Sequence, residues 1–142
     1  MSRVINPDST GKQRSQLMRT AAEILRHLSQ KSEVDAQAKD MAAALVFCLR
    51  EIDEGIEQSA AAWEKRDYWM KAEEFRQKWR WAGAMADALQ AIIFADDWSQ
   101  MPPMMVKLLP YVADIKITKL TRKETAWQGA YQRLLREKPP VT

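Results

Sequence analysis

The chain has 142 residues, 46% of them apolar and 29% charged, with a formal net charge of +3. That composition excludes a disordered chain, and the length suits one compact domain with a real core rather than two. One cysteine, Cys48, excludes an internal disulfide framework, and four glycines leave little material for β-hairpins or glycine-rich phosphate loops. No apolar run approaches the roughly 18–20 residues of a membrane span, and the start of the chain lacks the apolar core of a signal peptide. The expected location is therefore cytoplasmic, with no membrane partner.

Residues 1–9 read as a disordered lead-in with a turn at Asn6-Pro7. Thr10-Gly11-Lys12-Gln13 then fits a capping box, which opens a first helix running to about Ser29. Leu17, Ala21, Ile24, Leu25 and Leu28 form its apolar stripe. Ser32 and Asp35 suit the start of a second helix. Its apolar positions, Val34, Ala38, Met41, Leu45, Leu49, Ile52, Ile56, Ser59 and Trp63, step by three and four, the narrow seam of a helix lying nearly antiparallel to a partner. Lys65-Arg66-Asp67 is a polar break without Gly or Pro, either a tight turn or a kink. The third helix, 67–94, is apolar over more than half its circumference through Tyr68, Phe75, Trp79, Trp81, Leu89 and Ile93. It is expected to be the central strut of the fold. Gly55 and Gly83, inside helices, are expected to permit close approach of neighbours.

Asp96-Asp97-Trp98-Ser99 ends that helix. Pro102-Pro103 opens a short fourth one carrying Met104, Met105, Leu108 and Leu109, which Pro110 must kink or end. Residues 115–120 alternate but have no strand to pair with and read as an extended connector. Thr121-Arg122-Lys123-Glu124 is a second capping box, opening a fifth helix with Trp127, Tyr131, Leu134 and Leu135. Lys138-Pro139-Pro140 begins a tail. The expected fold is all-α: an antiparallel helical bundle of three long helices plus one or two short C-terminal helices, one domain over residues 10–137.

Catalytic material is sparse. His27 is the single histidine. Cys48 near the helical seam behaves as a small hydrophobe. There is no Glu-x-x-His pair for a di-iron site and no ligand set for zinc. Glu51-Ile52-Asp53-Glu54 and Glu64-Lys65-Arg66-Asp67 resemble the magnesium-binding carboxylate pairs of all-helical nucleotide pyrophosphohydrolases, but with a shorter gap and carboxylates pointing away from the apolar seam. No cofactor and no enzyme activity are expected.

Binding has more candidates. Phe47 lies opposite the Leu45–Ile52 seam, so it either packs under another helix or meets a partner. Met101, Met104 and Met105 form a cluster that suits adaptable protein contacts or closes one end of the bundle. Four tryptophans at Trp63–Trp81 alternate with Lys65, Arg66, Lys71, Arg76, Lys78 and Arg80, a pattern of core rings under cationic stems or of bases for stacking nucleic acid. Charge is segregated: net +4 over residues 1–31 and +5 over 99–142, around an acidic middle. If the ends converge, Lys12, Arg14, Arg19, Lys116, Lys119, Arg122 and Lys123 would form one basic face for nucleic acid.

Gly11-Lys12 with Arg14, together with Ala62-Trp63-Glu64-Lys65-Arg66, Tyr68-Trp69, Lys71-Ala72, Phe75-Arg76, Trp79 and Trp81-Ala82, resemble an uncharacterised family of short all-helical bacterial proteins. The resemblance implies the helical fold and attaches no activity, cofactor or site. The function expected is that of a non-catalytic interaction or assembly subunit, binding a protein partner or itself as a homo-oligomer through Phe47 and the methionines. A nucleic-acid accessory subunit is the alternative, and an all-α magnesium-dependent nucleotide pyrophosphohydrolase ranks last.

Overall fold

The computed structural model describes residues 7–139, with side chains from residue 10 onward. Among these residues there are helices and turns but no strand. Helices α1 (Pro7–Ser29), α2 (Ala36–Glu64), α3 (Trp69–Phe94) and α4 (Met101–Val112) are followed by a 3-10 turn at Glu124–Ala126 and a short α5 (Ala130–Leu135). Residues 7–9 of the expected lead-in belong to α1, and residues 1–6 lie outside the described residues. Thr10 is therefore inside the helix rather than at its cap.

The second helix begins as its sequence requires. Asp35 is extended at the N-cap and its carboxylate accepts from the Ala38 N–H at 2.8 Å. Such a bond satisfies one of the four donors left free in a helix's first turn. The far end of α2 turns without glycine. Asp67 adopts a left-handed φ of 64°, its N–H bonds the Glu64 carbonyl, and the Tyr68 N–H bonds the Trp63 carbonyl, both at 3.0 Å. This is a Schellman cap with aspartate where glycine is usual. The same arrangement closes α3: Asp96 has φ 55°, and Asp96 and Asp97 N–H groups bond Ile93 and Ile92 carbonyls at 3.1 Å. Replacing Asp67 by glycine removes the steric penalty of a left-handed L-residue. We expect Asp67→Gly to raise stability by about 0.5–1 kcal/mol, read as a higher urea midpoint at unchanged slope.

Pairs along the hairpin show α2 and α3 antiparallel: Glu64 with Arg76, Asp53 against Gly83, Arg50 with Gln90. Arg76 also holds Glu57 at 2.9 Å. Gly83 has the close approach expected of it, since a Cβ there would stand 2.9 Å from the Asp53 carboxylate; Gly55 has no neighbour within 4 Å. Helix α1 runs antiparallel to α2 on another side. Leu28 and Ala38 share one cavity, and the Cys48 thiol donates to the Leu17 carbonyl. Helix α4 packs on both α1 and α3, so the four helices form a ring in chain order, with α5 outside it on α2.

The hub of this arrangement is α2, not α3. Helix α2 packs most extensively on α3, then on α1 and α5. It buries Met41 through Val46 without interruption, more than one turn of 3.6 residues, so it is covered on every side there. Helix α3 buries only Ala72, Ala82, Ala86, Leu89 and Ile93. Its wide apolar circumference reflects rings capped by side chains rather than by helices. Phe75 and Trp79 are half-buried under the Arg14 guanidinium, and Trp81 stacks on Tyr111 of α4 with centroids 4.1 Å apart. Of the two outcomes expected at Pro110, an end of the helix does not occur, since α4 continues two residues to Val112. One further expectation changes. The expected fifth helix is interrupted at Gly129, whose φ of 79° is left-handed, so only residues 130–135 are α-helical.

Candidate functional site

The methionine cluster sits inward. Met101 and Met104 are 6% and 4% exposed, members of the core, and Met105 is half-buried beside Trp98 and Pro102 at the end of the bundle. As a contact surface for a partner this corrects the sequence expectation for Met101 and Met104. With Leu108 they form the stripe that α4 turns onto α1 and α3. Phe47 is half-buried under α5, with the Arg133 guanidinium 4.3 Å and the Arg50 guanidinium 5.5 Å from its ring centre. Arg50 in turn holds Glu137 at 3.1 Å, and Asp40 accepts from the Gly129 and Tyr131 N–H groups. The Phe47 face of α2 is thus occupied by the chain's own C-terminal helix.

The opposite face of α4 is open. Val106 is 64% exposed and Leu109 50%; Tyr111, also exposed, belongs to the other side, where it stacks on Trp81. Val106 and Leu109 overhang a groove of about 460 Å³ between α4 and the second half of α1, lined further by Ala22, Leu25, Ile115 and Ile117. Nothing in the sequence reading singled out this face. The available signal was that α4 carries one charge, Lys107, and has no polar side.

The seven basic residues expected to converge do so in part. Residues 113–123 lie along α1 as a strap. Arg19 donates to the carbonyls of Lys116 (3.0 Å) and Lys119 (2.7 Å), and Arg26 donates to that of Ile117 (2.9 Å). Arg122 donates to Thr20 Oγ1 (2.9 Å) and Gln16 Oε1 (2.7 Å). Arg19, Arg26 and Arg122 are therefore engaged within the chain, while Lys116, Lys119 and Lys123 are exposed. Lys12 is exposed on the first half of α1. Arg14 is turned away onto Phe75 and Trp79; burial lowers its pKa, and its Nη1 is buried without a hydrogen-bond partner.

The strap is anchored on Glu23, which is 0% exposed. Its carboxylate accepts from the N–H groups of Thr121 (2.6 Å) and Arg122 (2.8 Å), from the Thr121 hydroxyl (2.8 Å) and from Arg19 Nε (2.7 Å). Burial pushes the Glu23 pKa up, but the Arg122 N–H, Arg19 and Thr121 together outweigh it and hold the carboxyl at about 2. Thr121 thus bonds across to α1 instead of forming the capping box with Glu124 that its spacing suggests.

Cys48 and His27 do not meet. The thiol bonds the Leu17 carbonyl at 3.0 Å, ten residues from His27 on α1, about 15 Å at 1.5 Å per residue. Burial, with Glu51 nearby, pushes the Cys48 pKa up to about 12, which suits an inert thiol. His27 rests on the Trp127 ring at 5.0 Å. The two carboxylate pairs that resemble the pyrophosphohydrolase pattern are apart too. Glu54 and Glu64 lie ten residues apart on one continuous helix, about 15 Å, and Glu64 is paired with Arg76. Among the described residues no group of three His, Cys, Asp or Glu is placed to hold a metal ion.

No family model, curated protein or solved structure matches this chain. What the molecule does must be read from its own surfaces.

Proposed function

We propose that this chain is a non-catalytic interaction subunit that receives an acidic-edged amphipathic helix in the groove between α1 and α4. The observation that carries the reading is the outward apolar face of α4: Val106 and Leu109 stand exposed beside a concavity whose floor is Leu25, Ile115 and Ile117. A helix laid in such a groove is held by apolar anchors at helical spacing. The choice of an acidic edge follows from charge. Besides Arg122, which is held beside Glu23, residues 101–123 carry four cations, Lys107, Lys116, Lys119 and Lys123, against one acid, Asp114, and Arg26 lines the groove itself. Symmetric self-docking through this face would set the same basic edge against itself. That favours a different partner over the homo-oligomer.

The test uses two synthetic helices with one shared apolar face, one edged with Glu and one with Lys, titrated by fluorescence anisotropy. The acidic helix should bind at least tenfold more tightly, and Leu109→Asp should weaken it tenfold or more with the fold intact. Equal affinity for both helices, or no effect of Leu109→Asp, would sink the proposal. The nucleic-acid reading has one observation in its favour, the proximity of Lys116 and Lys119 around Arg19. It requires affinity for an oligonucleotide that falls steeply between low and moderate salt; absence of binding at low salt removes it.

A further inference from the structure

The end of the molecule remote from the groove carries a second surface. The groove is built on Ala22–Ser29 of α1, the part that packs beside the start of α2. The α2–α3 turn lies at the other end of α2, 29 residues away, about 43 Å at 1.5 Å per residue. There Tyr68, Trp69 and Met70 are 56%, 61% and 79% exposed, the largest run of consecutive exposed apolar side chains among the described residues. They occupy the cap and first turn of α3. At about 100° per residue, three successive side chains there splay outward from a convex tip. Lys65, Arg66 and Lys71 surround them, all exposed. Lys71 Nζ also lies 5.0 Å from the Trp63 ring centre.

We propose that this tip docks on the surface of an anionic phospholipid bilayer. Tyr68 and Trp69 have the amphipathic rings that settle at headgroup depth, and Met70 reaches beyond them. The three cations supply attraction to negative lipid headgroups. The local acids leave that balance positive. Glu64 is bound by Arg76, and Asp67 is the one acid between residues 65 and 71. Glu73 and Glu74 lie one turn along α3 from Trp69 and Met70; Glu73 has Arg80 at 3.9 Å, so Asp67 and Glu74 stand against Lys65, Arg66 and Lys71 and the tip keeps one net positive charge. A convex tip also separates this occupant from single-stranded nucleic acid, which is held in a groove that tracks its backbone. No described helix is long and apolar enough to cross a membrane, so the contact is with the surface only.

The experiment is co-sedimentation of the full chain with vesicles of phosphatidylcholine alone and with 30% phosphatidylserine. We expect binding to the anionic vesicles, at least tenfold weaker binding to the neutral ones, and a loss of roughly fivefold for each of Lys65→Gln and Arg66→Gln. Trp69→Ala with Met70→Ala should abolish binding while leaving the thermal transition unchanged, because both side chains are exposed. Three results would overturn the proposal: no binding to anionic vesicles at low salt, binding undiminished in the Trp69/Met70 variant, or binding of a single-stranded oligonucleotide through these residues in place of vesicles. The peptide titration of the groove is independent of each.

Discussion

Glu23→Ala should be the most damaging single substitution on the strap, lowering stability by roughly 3–5 kcal/mol as read from urea unfolding. Its buried carboxylate accepts two backbone N–H groups, a hydroxyl and the Arg19 guanidinium. Alanine leaves all of those donors facing an empty site, and the penalty is theirs as much as the lost bonds'. Glu23→Gln retains one acceptor oxygen but introduces an N–H₂ that faces donors, so it should fall between wild type and Glu23→Ala. A pH dependence follows with a definite sign. The folded pKa, about 2, lies below the ordinary carboxyl value of 4.5. A depressed carboxyl stabilises the fold above its unfolded pKa and loses that contribution as pH falls toward the folded one. Stability should therefore be level with respect to this group above about pH 5.5 and decline between about pH 4.5 and 2. In Glu23→Ala that part of the acid decline should be absent. If the variant and the wild type declined in parallel, the strap would not be anchored as described.

Leu45→Ala and Ala43→Leu test the other main claim, that α2 is enclosed all round. Leu45 is 1% exposed, and its truncation should cost about 2–5 kcal/mol, the range for a buried leucine whose cavity closes only partly. Ala43 lies nearly opposite it on the helix and is 0% exposed. It falls between Asp40 and Phe47, on the stripe that α5 covers. Enlarging it should cost about 1–3 kcal/mol by overpacking. A helix with one solvent face would tolerate the second change. Finding Ala43→Leu neutral would place α5 elsewhere and return α2 to the surface.

Much of the fold was legible because periodicity carries it. The positions of α1, α2, α3 and α4 follow from apolar spacing, and Asp35 and Pro102-Pro103 mark two starts directly. The hub was misread for a physical reason. Tryptophan and phenylalanine dominate any count of apolar surface, yet Phe75, Trp79 and Trp81 are covered by Arg14 and Tyr111, contacts between residues distant in sequence. Small residues mark the enclosed helix instead. Ala42, Ala43 and Ala44 are each at most 6% exposed and let neighbours approach on all sides. The turns at Asp67 and Asp96 were faint because the left-handed position holds aspartate, not glycine. The role of Glu23 could not be found from spacing: on α1 it reads as half of an exposed i,i+4 pair with Arg19, and the partners that bury it, Thr121 and Arg122, lie about a hundred residues downstream. The groove was not legible because Val106 and Leu109 on α4 face Leu25 of α1 and Ile115 and Ile117 of the strap, segments that apolar spacing within one helix does not bring together.

The ring of helices in chain order has a consequence for how the molecule assembles. Each of α1, α2 and α3 packs on the helix that follows it in the chain, and only the α4–α1 contact closes the ring over a long separation, so most of these closures span short stretches, the topology of fast folding. The strap and α5 are different: they return to α1 and α2 over separations near ninety to a hundred residues. During synthesis the first three helices can pair before either has emerged from the ribosome. Until then Glu23 and the Asp40–Phe47 stripe stand uncovered on a nascent scaffold, and the last quarter of the chain is the clasp that fastens it.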